Sequence, residues 1–323
     1  MRMPFNFFFM GNSNKRRHLL LLYKDIIENL PFIDEKGEKK ELVNTFICPI
    51  CLKTFDILDY DNITIEHVPP EKLGGRPLLL TCKDCNNVCG SNLDVYLINE
   101  IRNSYSLRNF TSKTHKATLH VDDMSINACA TLRNDSELHF CIDEKKNNPH
   151  TISSIKEGLE ANNTFDRISA NINISEQKSD SRRAAIAILK SAYLLAFSHL
   201  GYKYILHSNL ELIRKQVLFP EEDIFNGKFI LSNERYIPVN LSDGIYLITL
   251  NGSNLYGVIL TFKAKGEDFT HRTLVALPHP EDKDGSVYVE KMRENKKSIP
   301  IISIKAHLSV NNLAICKSEH NLP

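Results

Sequence analysis

Two short cysteine pairs constrain this chain more than any other feature. Cys48-Pro-Ile-Cys51 and Cys82-Lys-Asp-Cys85 are separated by residues 52–81. Two residues between thiolates let both sulfurs of one turn reach a single ion, and four such sulfurs close a tetrahedral Zn2+ site. A redox CxxC is the rival reading, but two pairs at this separation fit one closed zinc site better. Cys89 reads as a buried thiol, because four sulfurs already complete the site. Cys129 and Cys141 sit in alternating, strand-like runs, and Cys316 lies near the end.

The zinc reading also depends on compartment, since disulfides would compete for the same thiols in an oxidising one. Pro4–Met10 is apolar but short and broken by Asn6, and Leu19–Tyr23 runs at once into Lys24 and Asp25. Neither has the length of a signal peptide core or of a ~20-residue membrane span. The expectation is a cytoplasmic protein with no membrane partner. Its 40 Lys+Arg nearly balance 39 Asp+Glu over 323 residues. That excludes a polybasic protein or an acidic disordered tail, while leaving room for a local basic patch.

Between the cysteine pairs runs Ile63-Thr-Ile-Glu66-His67-Val-Pro-Pro-Glu-Lys-Leu-Gly74-Gly75, and the second pair continues into Asn86, Asn87, Gly90 and Asp94. A β-rich run, a Gly-Gly bend and a helix beginning near the second pair predict a ββα unit clamped by zinc. This pattern resembles the HNH endonuclease family, in its four-cysteine, ββα-metal branch, over about residues 46–98. The resemblance implies that His67 is the general base that activates water. It implies that Glu66 and Asn86 bind one catalytic divalent metal, Mg2+ or Mn2+, with Zn2+ purely structural. Oxygen donors suit Mg2+ as sulfur donors suit Zn2+. One departure stands out: Pro77 occupies a position where many HNH proteins carry an asparagine that orients the histidine. Asp94 either orients the site or caps a helix turn.

Lys15, Arg16 and Arg17 open a helix expected over residues 14–30 and form a candidate phosphate-contacting cluster. Residues 47–105 carry five basic against eight acidic side chains, a net −3. Because affinity for a nucleic-acid backbone comes largely from Lys/Arg contacts to phosphate, the missing charge is assigned to Lys15–Arg17, Arg102, Arg108, Lys113 and Lys116, with Arg76 a candidate to approach the scissile phosphate.

Further along, period-two runs between Thr118 and Asp143 predict strands broken by a turn at 133–136, with His120 and His139 structural. Asp180 caps a helix over 181–199 that is apolar on nearly every face, marking it as buried, and Gly201 ends it. A second helix is expected over 210–218. Residues 244–250 and 255–262 predict a hairpin around Asn251-Gly252, with further strands at 272–277, 286–289 and 299–304.

The expected fold class is α+β, a zinc-clamped ββα-metal module joined to a larger mixed α+β accessory domain. Its expected parts are a helical segment (1–45), the nuclease module (46–105) and the accessory domain (106–323). The expected function is metal-dependent hydrolysis of DNA phosphodiester bonds, in restriction or phage defence. A homodimer and a defence-system protein are the further partners considered. The alternative is a non-catalytic zinc module that binds nucleic acid or a protein.

Overall fold

A computed structural model describes residues 11–28, 32–33, 39–40, 42–108, 114–133, 137–160, 167–173, 178–225, 229–233, 237, 240–250, 252–264, 270–280, 282, 288 and 302–307. The Pro4–Met10 run, Lys113 and most of the strand expected at 286–289 lie outside them. The fold is mixed α+β, as the alternation of helical and period-two patterning requires.

One compact unit joins Met1–Glu100 to Ser179–Pro323, and Ile101–Lys178 forms the other. The nuclease-like segment therefore shares its unit with the carboxy-terminal third, because the apolar helix near residue 190 packs against both.

In the first unit α1 (Asn12–Glu28) is followed by a two-strand ribbon, β1 (Phe32–Ile33) and β2 (Lys39–Lys40). A hairpin of β3 (Thr45–Ile47) and β4 (Thr54–Asp56) comes next. A second hairpin, β5 (Ile63–Val68) and β6 (Arg76–Cys82), leads straight into α2 (Lys83–Cys89). After one π-type turn at Gly90–Asp94, α3 (Val95–Arg108) carries the chain into the second unit.

That unit is an antiparallel sheet of β7 (Thr114–Val121), β8 (Met124–Leu132), β9 (Leu138–Ile142) and β10 (Ile168–Asn173), in the order β10-β7-β8-β9. Leu132 pairs with Leu138 on either side of the turn expected at 133–136, of which 134–136 lie outside the described residues. Helix α4 (Pro149–Glu160) supplies Ile155 to a small core with Val121 and Ile126. His120 lies 3.2 Å from the Asn171 amide and His139 3.4 Å from Glu137, in keeping with structural roles.

Back in the first unit, α5 (Ser181–Ile205) starts at the expected cap: Asp180 Oδ1 accepts from the Arg183 amide at 3.1 Å. It kinks at Gly201, whose φ of 71° is the left-handed conformation that glycine adopts without a Cβ clash. Helix α6 (Glu211–Leu218) follows. The strands β11 (Ile230–Asn233), β12 (Gly244–Leu250), β13 (Ser253–Lys263), β14 (Thr270–Leu277) and β15 (Ile302–His307) form one antiparallel sheet, ordered β11-β14-β13-β12-β15. The last strand includes 302–304 of the expected 299–304, the rest of which lies outside the described residues. Leu250 pairs with Ser253 across the expected turn, with Gly252 at φ 85°.

Helix α5 is the spine of this unit. Leu189, Ala192, Leu194, Ala196 and Phe197 are fully buried. The helix is long and apolar enough to cross a membrane, but most of it is covered by protein. Phe197 stacks on Tyr23 of α1 at 5.7 Å and meets Tyr202 edge-on at 4.9 Å. Such ring pairs add to simple burial of their area.

Leu189→Asp should therefore unfold the first unit, since an unpartnered carboxylate in a filled core costs on the order of 4 kcal/mol or more. A thermal melt followed by circular dichroism checks this. A midpoint within about 2 °C of the wild type would contradict the assignment of α5 as the core helix.

Candidate functional site

The four sulfurs of Cys48, Cys51, Cys82 and Cys85 converge, all within 4.8 Å of one another. Local backbone explains how. The first pair sits in the turn joining β3 to β4, closed by the Leu52 amide on the Cys48 carbonyl at 2.9 Å and by Leu52 itself at φ 58°. The second pair sits where β6 becomes α2. Cys82 is the cap of that helix, its Sγ accepting from the Cys85 amide at 3.4 Å, while the Cys82 amide donates to Cys48 Sγ at 3.4 Å.

Sulfurs bound at about 2.3 Å to a tetrahedral Zn2+ stand about 3.8 Å apart. The Cys51 and Cys82 sulfurs are 3.8 Å apart. Hydrogen bonds among the four thiols lower Cys51, bring Cys82 down to about 7, and raise Cys48 and Cys85. A bound Zn2+ takes all four as thiolates. The donor set fits a structural zinc. Cys89 stays outside it, buried, with its thiol pushed up to about 12 chiefly by burial.

The β5–β6 hairpin and α2 form the expected ββα unit. Gly74 and Gly75 make its bend for two different reasons. Gly74 has φ 85°, and a Cβ on Gly75 would lie 1.4 Å from the Pro69 carbonyl oxygen. The strands pair regularly from Ile63↔Cys82 to Glu66↔Leu79, then shift by one, so that His67 faces Pro77 and Leu78 is left over as a bulge. The usual asparagine position is thus directly opposite the histidine, where proline contributes neither an amide hydrogen nor a polar side chain. The bulge absorbs it.

His67 is half-buried between the buried Glu66 and Val68. Burial holds its imidazole below the ordinary value, Glu71 opposes that, and Lys15 adds to it. Asn86 on α2 reaches back to β5. Its Nδ2 donates to Thr64 Oγ1 at 2.9 Å and to the Ile65 carbonyl at 3.2 Å. The second acceptor can only accept, which fixes the amide orientation and turns Oδ1 away from the strand.

Glu66 is held differently. It is 4% exposed, and its Oε1 lies 2.9 Å from Nζ of Lys190 on α5, itself 1% exposed. The same Nζ lies 2.7 Å from Asp94 Oδ2. Burial raises the Glu66 carboxyl, and Lys190 opposes this. Removing one partner of such a buried pair costs about 3–5 kcal/mol. Asp94 therefore orients Lys190 rather than capping a helix. Lys190 interrupts the apolar run of α5 in the sequence but carries no site role there, and a lysine so placed needs a buried anion. For a hard divalent cation the donors divide: Asn86 offers an oxygen, whereas Glu66 already serves an ammonium.

The basic candidates are scattered by the fold. Lys15 is buried, and Arg16 donates to the Tyr60 carbonyl at 2.8 Å with its guanidinium over the Tyr60 ring, pinning α1 to the loop before β5. Arg17 and Arg76 are exposed. Arg108 ends α3 with its side chain outside the described residues.

Residues 48–102 match the family model described as HNH endonuclease, a span holding all four cysteines, Glu66, His67 and Asn86. Over that span the chain is similar to a nuclease domain, a kind of domain that acts on nucleic acid. No curated protein and no solved structure matches the chain.

Cys82→Ser separates metal from cap. The serine oxygen can still accept from the Cys85 amide, so the helix start survives while the fourth sulfur is gone. Zinc content by mass spectrometry should fall from one equivalent towards none, with a lower melting temperature. Full zinc with an unchanged melt would refute the site.

Proposed function

We propose that this protein is a metal-dependent HNH endonuclease that hydrolyses DNA phosphodiester bonds in the cytoplasm, as a restriction or phage-defence effector. The observation that carries the reading is the placement of His67. It stays accessible between two buried neighbours, on a strand clamped by the four-cysteine site. Burial of the imidazole lowers its pKa, and a half-exposed histidine is of the type that takes a proton from water. Asn86 Oδ1 is oriented away from β5 by its two donated bonds, and supplies an oxygen of the type Mg2+ or Mn2+ takes. A divalent ion there would carry charge developing on the leaving oxygen.

Phosphate contacts fall to Arg17 and Arg76, which are exposed, and to Arg108 and Lys113. The acidic module on its own attracts DNA weakly, so a second copy of the chain or a defence-system protein would help hold the substrate.

A second reading, a non-catalytic zinc module that binds nucleic acid or a protein, is favoured by Pro77 opposite His67 and by the engagement of Glu66 with Lys190. Cleavage assays on plasmid and single-stranded DNA with Mg2+, Mn2+ or EDTA separate the two. The wild type should cut with metal and not with EDTA. His67→Ala should lower the rate by roughly 10²-fold or more with zinc content unchanged, because a general base acts in the transition state. A wild type that cuts neither substrate with either metal leaves the second reading standing.

A further inference from the structure

Glu66 occupies the position that the family resemblance gives to a metal ligand, yet its carboxylate already has a cation. Lys190 Nζ lies within hydrogen-bond distance of Glu66 Oε1 and Asp94 Oδ2, at 2.9 and 2.7 Å. Lys190 comes from α5, 124 residues from Glu66 and outside the matched span 48–102. The cluster is largely buried: Lys190 is 1% exposed, Glu66 4%, Asp94 14%, and Cys89 beside it 3%. Asp94 Oδ1 is also buried, and has no hydrogen-bond partner among the described residues.

An ammonium is a compact point charge. Wedged between two carboxylates in a dry site, it satisfies them much as a metal ion would, and it repels any second cation approaching the same oxygens. A dication could share Glu66 only if Lys190 withdrew, and α5 is locked on the carboxy-terminal side of it. Tyr193 donates to the Pro49 carbonyl at 2.6 Å and Tyr202 to the Ile47 carbonyl at 2.5 Å.

We infer that Lys190 is the resident cation of a Glu66–Asp94 carboxylate site, excluding the divalent metal from Glu66 and using that residue as an anchor between the zinc module and α5. Any catalytic ion is then held from the Asn86 side. This deepens the reading of the site as a nuclease centre. With the lysine removed, Glu66 Oε1 and both oxygens of Asp94 would form the kind of oxygen cluster that Mn2+ binds.

The test is Mn2+ binding to the full-length, zinc-loaded protein, followed by electron paramagnetic resonance of the free ion. Glu66→Gln should bind Mn2+ within about twofold of the wild type, since no ligand is lost. Lys190→Met should gain a Mn2+ site absent from the wild type, and Glu66→Gln/Lys190→Met should lack it. A tenfold or greater loss of Mn2+ affinity in Glu66→Gln, at unchanged zinc content and circular dichroism, would overturn the inference. So would a folded Lys190→Met with no added site.

If Lys190→Met fails to fold, the neutral triple variant Glu66→Gln/Asp94→Asn/Lys190→Met decides. Its recovery of the fold supports Lys190 as the counter-charge, and a triple variant as unstable as the single one counts against it. A wild type that takes up no Mn2+ sinks the metal-dependent reading of the function. The Lys190→Met arm still tests the inference.

Discussion

Four sulfurs drawn to one point do the work that a hydrophobic core would do in a larger segment. The hairpin of β3 and β4, the β5–β6 hairpin and the short α2 would be too small to bury much apolar surface alone. Cys48 and Cys51 on one side, Cys82 and Cys85 on the other, tie the three pieces together. The tie also sets the start of α2, because Cys82 is at once a ligand candidate and the cap of that helix. Through α2 it places Asn86, and through β6 it sets the strand against which His67 is presented. Metal binding and folding are coupled in such a module, so the fold of the site depends on this one set of donors.

Helix α5 is the second constraint, of a different kind. It is apolar enough to need covering on nearly every face, and the module supplies part of that cover. Three buried polar side chains on the helix face the module: Lys190 meets Glu66, Tyr193 meets the Pro49 carbonyl, and Tyr202 meets the Ile47 carbonyl. Each would be costly to leave unsatisfied in the interior. Together they make the docking specific where apolar packing alone would tolerate slippage. They also explain why the module and the carboxy-terminal sheet form one compact unit, with residues 101–178 as a separate one.

The distribution of charge bears on nucleic-acid binding. A module with net −3 needs help from elsewhere, and two of the three basic residues at the start of α1 are engaged by the protein itself. Lys15 is buried, and Arg16 spends its guanidinium on backbone carbonyls and a tyrosine ring. Arg17, the third of that cluster, and Arg76 on β6 are exposed. A run of basic residues is not by itself a binding surface; the helix face on which each falls decides its use.

The sequence alone determined what is local. Cysteine spacing, the Gly-Gly bend, the Asp180 cap, the break at Gly201 and the Asn-Gly hairpin each depend on a few neighbouring residues and their backbone limits. Each stands in the fold where it was expected. Tertiary structure decided what depends on partners distant in sequence. No periodicity could pair Lys190 with Glu66 across more than a hundred residues, nor show that Lys15 and Arg16 face inward. None could place residues 101–178 in a unit of their own. Residue type says that a buried lysine must find an anion; only the packing of α5 on the zinc module selects which one. The selection matters, because the same carboxylate can hold a metal or an ammonium, and proximity in space settles the choice.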